Sequence, residues 1–108
     1  MNFLDLSQFQ EETFDIKLPN SGQTVNIKKP TQKLYMDFIA WGNEGTENLT
    51  EHEQMKRLNQ RVIKILNHNE NGRKFTNDDI KDWHVMTKLA FIKGYTEFIT
   101  EITRRKNS

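Results

Sequence analysis

Three histidines at an even interval are the side chains in this sequence best suited to metal binding. His52, His68 and His84 lie 16 residues apart. A protein metal site needs ligands within one helical turn, as in His-x-x-x-His spacing, or ligands that converge from several elements. Each histidine falls on a different predicted segment, and none has Asp, Glu or Cys at ligand spacing. We interpret the interval as coincidence and expect no metal site.

Paired carboxylates and nucleophiles give no better indication of catalysis. The adjacent acids Asp78 and Asp79 open a predicted helix, where the helix dipole favours negative charge. The serines lack the context of a nucleophile elbow, and the five glycines are too scattered to form a phosphate-binding loop. The absence of cysteine excludes a disulfide framework, a thiol nucleophile and a cysteine-based zinc site. We expect neither an enzyme nor a cofactor.

The charge of the chain is divided unevenly between its halves. Residues 1–53 carry nine acids against four lysines, a net −5, whereas residues 54–108 carry twelve Lys and Arg against six acids, a net +6. Such polarity can steer head-to-tail self-association or attract a charged partner. The alternative is that these charges are solvated helix faces, which contribute little energy.

The basic residues raise the question of nucleic-acid binding. They form one group near the exit of a predicted hairpin and one at the carboxyl end, namely Lys17, Lys28, Lys29, Lys33 and Arg104-Arg105-Lys106. A nucleic-acid binder usually has a pI above about 9 and aromatic residues interleaved with the charges. Here the pI is about 8.0, and the aromatic residues fall on apolar stripes. Nucleic acid is therefore not the expected partner, and a small DNA-associated regulator that uses the basic half remains the alternative function.

The chain length predicts one domain spanning residues 1–108. No basic, apolar leader opens the sequence, and no segment has the ~20 apolar residues that span a bilayer, so we expect a cytoplasmic protein without a membrane partner. Residues 1–12 form an amino-terminal arm without a clear period, which we interpret as a docking arm or a short strand. Its apolar residues are Phe3, Leu4, Leu6 and Phe9.

Alternating apolar residues predict a β-hairpin over residues 13–28. One strand presents Phe14, Ile16 and Leu18 on a single face, and the other presents Val25 and Ile27. The residues between them, Pro19-Asn20-Ser21-Gly22, suit a tight turn. Because an isolated hairpin is marginally stable, its apolar face must lie on helices or its edge must pair with another subunit.

Three helices are predicted after the hairpin, over residues 31–42, 50–68 and 77–105. Pro30 and Thr31 favour the first start, and Thr50 with Glu53 forms a capping box for the second. The resulting fold class is α+β, mainly α: an N-terminal β-hairpin followed by three helices, of which the last is long.

The last helix is the most regular feature of the sequence. Its apolar stripe runs through Ile80, Trp83, Thr87, Ala90/Phe91, Gly94/Tyr95, Phe98 and Ile102. At 1.5 Å per residue it would extend for roughly 43 Å, longer than a compact domain of this size, which is roughly 34 Å across. We therefore interpret its first half, residues 80–90, as core and expect its far end to overhang. The partner-binding candidates are Phe91, Tyr95, Phe98, Ile99 and Ile102, and the core of the domain is the alternative place for each of them.

Gly94 interrupts this helix, where it costs ~1 kcal/mol relative to alanine. The close approach of another backbone would compensate for that cost. A neighbouring helix of the same subunit is the preferred interpretation, ahead of a subunit contact.

The order of these elements carries a family resemblance. A hairpin with a Lys-Lys-Pro exit precedes a short aromatic helix, a capped middle helix and a closing segment that contains FTNDDI (75–80) and LAFIKGYTEFI (89–99). This layout resembles the tail assembly chaperones of long-tailed bacteriophages (siphophages) that infect Gram-positive bacteria, and is most similar to the lactococcal ones. The resemblance spans roughly the whole chain and rests on hydrophobic patterns.

The resemblance implies a non-catalytic protein of the host cytoplasm that is absent from the mature virion. Proteins of this family coat the tape measure protein and recruit tail tube subunits during tail morphogenesis. They self-associate, so a homo-oligomer is expected. They are commonly made in a short and a frameshifted longer form, and this sequence would correspond to the short one. The family has no catalytic residues to carry over.

Overall fold

The structure, a computed structural model, describes residues 3–6, 12–45 and 47–106. Two strands come first, β1 (Thr13–Lys17) and β2 (Thr24–Lys28), followed by helices α1 (Gln32–Asn43), α2 (Glu51–Leu66), α3 (Asn77–Ile80) and α4 (Val85–Lys106). The predicted fold class, a hairpin followed by helices of which the last is long, is confirmed. Phe9 of the predicted arm lies outside the described residues.

The predicted hairpin forms, and its strands pair in an antiparallel register. Phe14 pairs with Ile27 and Ile16 with Val25, so all four apolar side chains share the face that lies on the helices. The turn closes through a hydrogen bond from the Leu18 amide to the Gln23 carbonyl, 2.8 Å long. Gly22 adopts a φ of +74°, a conformation that glycine takes without strain.

The outer edge of β2 is covered by the loop that follows α2. The Lys28 amide donates to the His68 carbonyl at 2.8 Å, and the Glu70 amide donates to the Asn26 carbonyl at 3.0 Å. The buried side chain of Asn69 organises this loop: its amide donates to the carbonyls of Leu66 and Arg73, and its oxygen accepts from two loop amides. The sequence predicted only the end of a helix here, so this covered edge is a finding of the structure.

The first two helices agree closely with their predicted extents. Thr31 caps α1, because its hydroxyl accepts from the Leu34 amide at 3.2 Å. Thr50 caps α2 in the same way, accepting from the Glu53 amide at 3.1 Å. The Glu53 carboxylate accepts from the Thr50 hydroxyl at 3.1 Å. The boundaries differ from the predicted ones by one or two residues, the usual scatter at helix ends.

The single helix predicted over residues 77–105 is wrong, because the structure has two helices there. Helix α3 ends at Ile80, a turn closes with a 3.0 Å hydrogen bond from the Trp83 amide to the Ile80 carbonyl, and α4 begins at Val85. Ile80 and Trp83, which lie on either side of the end of α3, are both buried. With 22 residues, α4 is about 33 Å long rather than the predicted 43 Å.

The core lies between the hairpin and the helices. Its buried apolar residues come from β2, α1, α2, the α3 region and α4: Val25, Ile27, Leu34, Val62, Ile65, Leu66, Phe75, Ile80, Trp83, Phe91, Tyr95 and Ile99. The molecule is elongated, with a radius of gyration of 15.5 Å against about 13 Å for a compact chain of this length. More of each helix therefore faces solvent than in a compact fold.

Candidate protein-binding surface

The beginning of α4 exposes apolar side chains to solvent. Val85 is 44% exposed, Met86 73% and Leu89 46%. All three lie off the stripe that runs through Phe91 and Tyr95, so burying the stripe turns them outward. Together they form an aliphatic face that is partly exposed to solvent.

This face forms one wall of a groove between α2 and α4. The groove has a volume of about 450 Å³, and its apolar walls come from the loop before α2, from α2 and from α4: Leu49, Met55, Leu58, Val85 and Leu89. We call it the α2–α4 groove. An apolar groove open along a helix can accept the apolar face of another helix.

A charged rim borders the α2–α4 groove. Glu44, just after α1, pairs with Arg57 at 3.1 Å and with Arg61 at 2.6 Å. The Arg61 guanidinium also lies 5.4 Å from the centre of the Trp41 ring. These contacts tie the end of α1 to α2, and they place polar groups beside the apolar wall. Such a rim can contact the polar face of a bound helix.

A buried lysine lies behind this groove. Lys88, on α4, is only 4% exposed, and its ammonium group donates to the Asn59 side-chain oxygen of α2 at 2.7 Å. The contact fixes the two helices relative to each other. It also shows that Lys88, one of the twelve basic residues of the second half, is not available at the surface.

The structure buries three of the five predicted partner-binding residues. Phe91, Tyr95 and Ile99 belong to the chain's own core, while Phe98 and Ile102 are half-buried. Phe14 of the hairpin causes this arrangement, since its ring lies 5.8 Å from that of Tyr95 and 5.7 Å from that of Phe98. Phe91, Tyr95 and Ile99 are therefore core residues, and the overhang expected for the far end of the helix is wrong at Ile99.

Gly94 marks the place where the hairpin meets α4. A Cβ atom at this position would lie 2.9 Å from the tip of the Phe14 ring. The close approach that the sequence predicted is real, but the group that approaches is an aromatic side chain of β1 and not another backbone. Because the hairpin ring fills this notch, the second half of α4 turns towards the core.

Beyond Trp83, the burial of the last segment is therefore the opposite of the prediction: the first turns of α4 are exposed and its later residues are buried. The first turns of α4, which we expected in the core, carry the exposed Val85, Met86 and Leu89. The signal was present in the sequence, because these three apolar residues do not fit the stripe.

A second groove lies at the other end of α4. It has a volume of about 480 Å³ and is lined from α1 and α4 by Tyr35, Phe38, Ile39, Thr96, Ile99, Thr100, Thr103 and Arg104. The threonine hydroxyls donate to carbonyls of their own helix at 2.8 to 3.0 Å. Their polar groups are thus satisfied within α4, and the groove, which we call the α1–α4 groove, is mainly apolar.

The surroundings of Asp15 and Tyr95 shift the pKa values of these two side chains. Hydrogen bonds from Thr13 and Asn26 lower the pKa of the exposed Asp15 carboxyl, whereas burial raises the pKa of Tyr95. Within the described residues, no group of three or more His, Cys, Asp or Glu side chains is placed to hold a metal ion. No helix in the described part of the chain is long and apolar enough to cross a membrane.

The arrangement that can bind something is thus a pair of apolar grooves at the two ends of α4. Comparisons with protein-family models, with curated proteins and with solved structures found no match for this chain.

Proposed function

We propose that this protein is a non-catalytic tail assembly chaperone of a long-tailed bacteriophage. It binds the tape measure protein in the host cytoplasm, recruits tail tube subunits, associates with further copies of itself and is not retained in the mature virion. The sequence resemblance suggests the family. The observation that carries the proposal is the exposed aliphatic wall of the α2–α4 groove.

The groove suits an amphipathic helix as its client. Leu89 and Val85 lie one helical turn apart on α4, opposite Met55 and Leu58 on α2. A helix with apolar residues at i, i+3 or i+4, and i+7 can lay its apolar face between these walls. A tape measure protein, as a long amphipathic chain, would offer many such faces.

The side chains of the groove also suit a client whose sequence varies along its length. Met55 lines the groove and Met86 stands exposed beside it. Methionine is unbranched and polarizable, so it adapts to apolar partners of different shape. A shallow, adaptable site gives modest affinity for each copy, and a modest affinity lets tube subunits displace the chaperone.

Titration of the full chain with synthetic helical fragments of the tape measure protein tests the proposal. Leu89→Glu places a charge in the α2–α4 groove, and we expect it to weaken fragment binding at least tenfold. Ile39→Glu is the matched control, because Ile39 is 45% exposed and Leu89 46%, but Ile39 lines the other groove. Binding that is absent from the wild type, or equally strong in Leu89→Glu, would refute the proposal.

The alternative function is a DNA-associated regulator, and titration of the same protein with duplex DNA tests it. Several basic residues of the second half are already engaged: Arg57 and Arg61 with Glu44, and Lys64 with Asp37 at 2.7 Å. Their pairing reduces the positive field that DNA binding needs. Affinity for duplex DNA that falls steeply with added salt would favour the regulator over the chaperone.

A further inference from the structure

The amino-terminal arm carries apolar side chains that make little contact with their own chain. Phe3 is 80% exposed, and Leu4 and Leu6 are each 66% exposed. Three of the four described residues between 3 and 6 are therefore large apolar groups in water. Such a cluster of exposed apolar side chains is typical of a segment that binds a surface.

The α1–α4 groove offers an apolar surface of matching character. Its α1 wall exposes Tyr35 and Ile39, and its floor is Ile99. The threonines of its α4 wall satisfy their hydroxyls within the helix, so they can present methyl groups to a bound chain. A segment bound in the groove therefore needs to form few hydrogen bonds with it.

The charges of the arm and the groove are complementary. Residues 1–12 carry three acidic residues and no basic one; Glu12, at the root of the arm, already pairs with Lys29 of its own chain at 3.6 Å. Arg104 is the charged residue among those that line the groove, and in sequence it is followed by Arg105 and Lys106 at the end of α4. An acidic segment would therefore be attracted to this end of the helix and oriented along it.

The apolar residues of the arm that the structure describes, Phe3, Leu4 and Leu6, do not occupy the groove of their own chain. Residues 7–12 can extend over at most about 20 Å, and β1 begins near α4, because the Tyr95 hydroxyl donates to the Lys28 carbonyl opposite Thr13. The groove is thus near the root of the arm, yet Phe3, Leu4 and Leu6 stay exposed. This leaves the groove of another copy as the place for them.

We propose that the amino-terminal arm of one copy docks into the α1–α4 groove of a second copy. This inference rests on the proposed function in one respect, the expectation that copies of the protein associate. Arm and groove are different surfaces, so each copy retains a free arm or a free groove after one contact, and copies can add head to tail.

Sedimentation velocity of the full chain over a concentration series tests this contact. We expect Phe3→Ser combined with Leu6→Ser, and separately Ile39→Glu, to raise the dissociation constant for self-association at least tenfold. Leu89→Glu, matched in exposure but in the other groove, should leave it within threefold. Tyr35→Glu is a second groove variant that guards against a fold defect specific to Ile39→Glu, and circular dichroism checks the fold of each.

Mixing the two defective proteins gives the sharpest result. The arm variant has an intact groove and Ile39→Glu has an intact arm, so an equimolar mixture should form one-to-one heterodimers although each protein alone stays monomeric. Because the chain contains no cysteine, Leu4→Cys in one copy and Ile39→Cys in another can report the contact as an intermolecular disulfide.

Three outcomes would overturn the inference. The wild type could remain monomeric at every concentration, the arm or groove variants could associate as strongly as the wild type, or Leu4→Cys and Ile39→Cys in one chain could link only within that chain. Failure here is distinguishable from failure of the proposed function, since Ile39→Glu should still bind the tape measure fragment through the other groove.

Discussion

At the scale of single residues, Tyr95 links the two parts of the fold. Its ring is fully buried, and its hydroxyl donates a 2.6 Å hydrogen bond to the Lys28 carbonyl at the end of β2. The ring also lies 5.5 Å from Phe38 of α1. One side chain on α4 therefore contacts the hairpin and the first helix together.

Removal of the Tyr95 hydroxyl should destabilise the protein measurably. Tyr95→Phe keeps the ring but leaves the Lys28 carbonyl without its donor, so we expect the free energy of unfolding to fall by about 1 kcal/mol. Urea denaturation followed by circular dichroism measures the change. Tyr35→Phe, at an exposed position, should change it by less than about 0.5 kcal/mol; an equal effect at both positions would contradict the role of the bond.

The same hydroxyl should make stability depend on pH in the alkaline range. Burial raises the pKa of Tyr95 above its ordinary value of about 10, so the folded state keeps this proton more tightly than the unfolded state does. The associated stability is complete below about pH 10 and is lost as the pH rises further. Between about pH 9 and 11, the wild type should lose about 1 kcal/mol more than Tyr95→Phe, as measured by urea denaturation at each pH. Parallel curves for the two proteins would refute this.

At the scale of elements, the loop of residues 67–75 hydrogen-bonds to the edge of β2 as a third strand would. It pairs with β2 around an isolated bridge between Ile27 and Asn69, and Asn67 bonds both backbone groups of Phe75. This pairing covers an edge that would otherwise be open to other chains.

Asn69 should be the residue on which this loop depends most. Its side chain donates two hydrogen bonds and accepts two, and it is only 7% exposed. Asn69→Ala leaves those backbone groups unpaired, so we expect a loss of about 3 kcal/mol in the free energy of unfolding. Chemical denaturation measures it, and Asn48→Ala in an exposed turn is the control, with an expected loss below about 0.5 kcal/mol. Similar losses in the two variants would show that the loop does not depend on Asn69.

The sequence predicted the local elements well, since alternation and capping are local signals. Thr31 and Thr50 marked helix starts, and the turn after Leu18 marked the hairpin. Residues 81–84, where the helix is interrupted, contain no proline or glycine, so no local signal in the sequence predicts the break. The pairing of Asn69 with β2 is a contact between distant segments, which no local pattern contains.

At the scale of the whole molecule, the proposed binding surfaces depend on which face of α4 the hairpin covers. The apolar stripe located the helix correctly. The helix has two apolar faces, however, and only one of them can lie on the core. Which face is buried depends on how the hairpin packs against the helix. Phe14 fits against Gly94, so the face with Tyr95 is buried and the face with Leu89 is left outside. For this reason the sequence located α4 but not its exposed side.

Neither exposed face should contribute much to the stability of the monomer. Ile39 and Leu89 are both nearly half exposed and lie in different grooves, so the double variant Ile39→Glu, Leu89→Glu should unfold within about 0.5 kcal/mol of the wild type. It should nonetheless neither self-associate nor bind a tape measure fragment. Calorimetry at a concentration where the wild type is monomeric checks the first statement; a large loss would place these residues in the core rather than at binding surfaces.

Helix α4 forms a wall of both grooves, so its length sets the distance between them. Leu89 lines one groove and Thr103 the other, and 14 residues of helix separate them by about 21 Å. The rings of Phe14, Phe91, Tyr95 and Phe98 pack together midway along that distance. The interval between the two grooves is therefore set by backbone geometry rather than by the strength of either contact, and it would recur unchanged in every copy of an assembly.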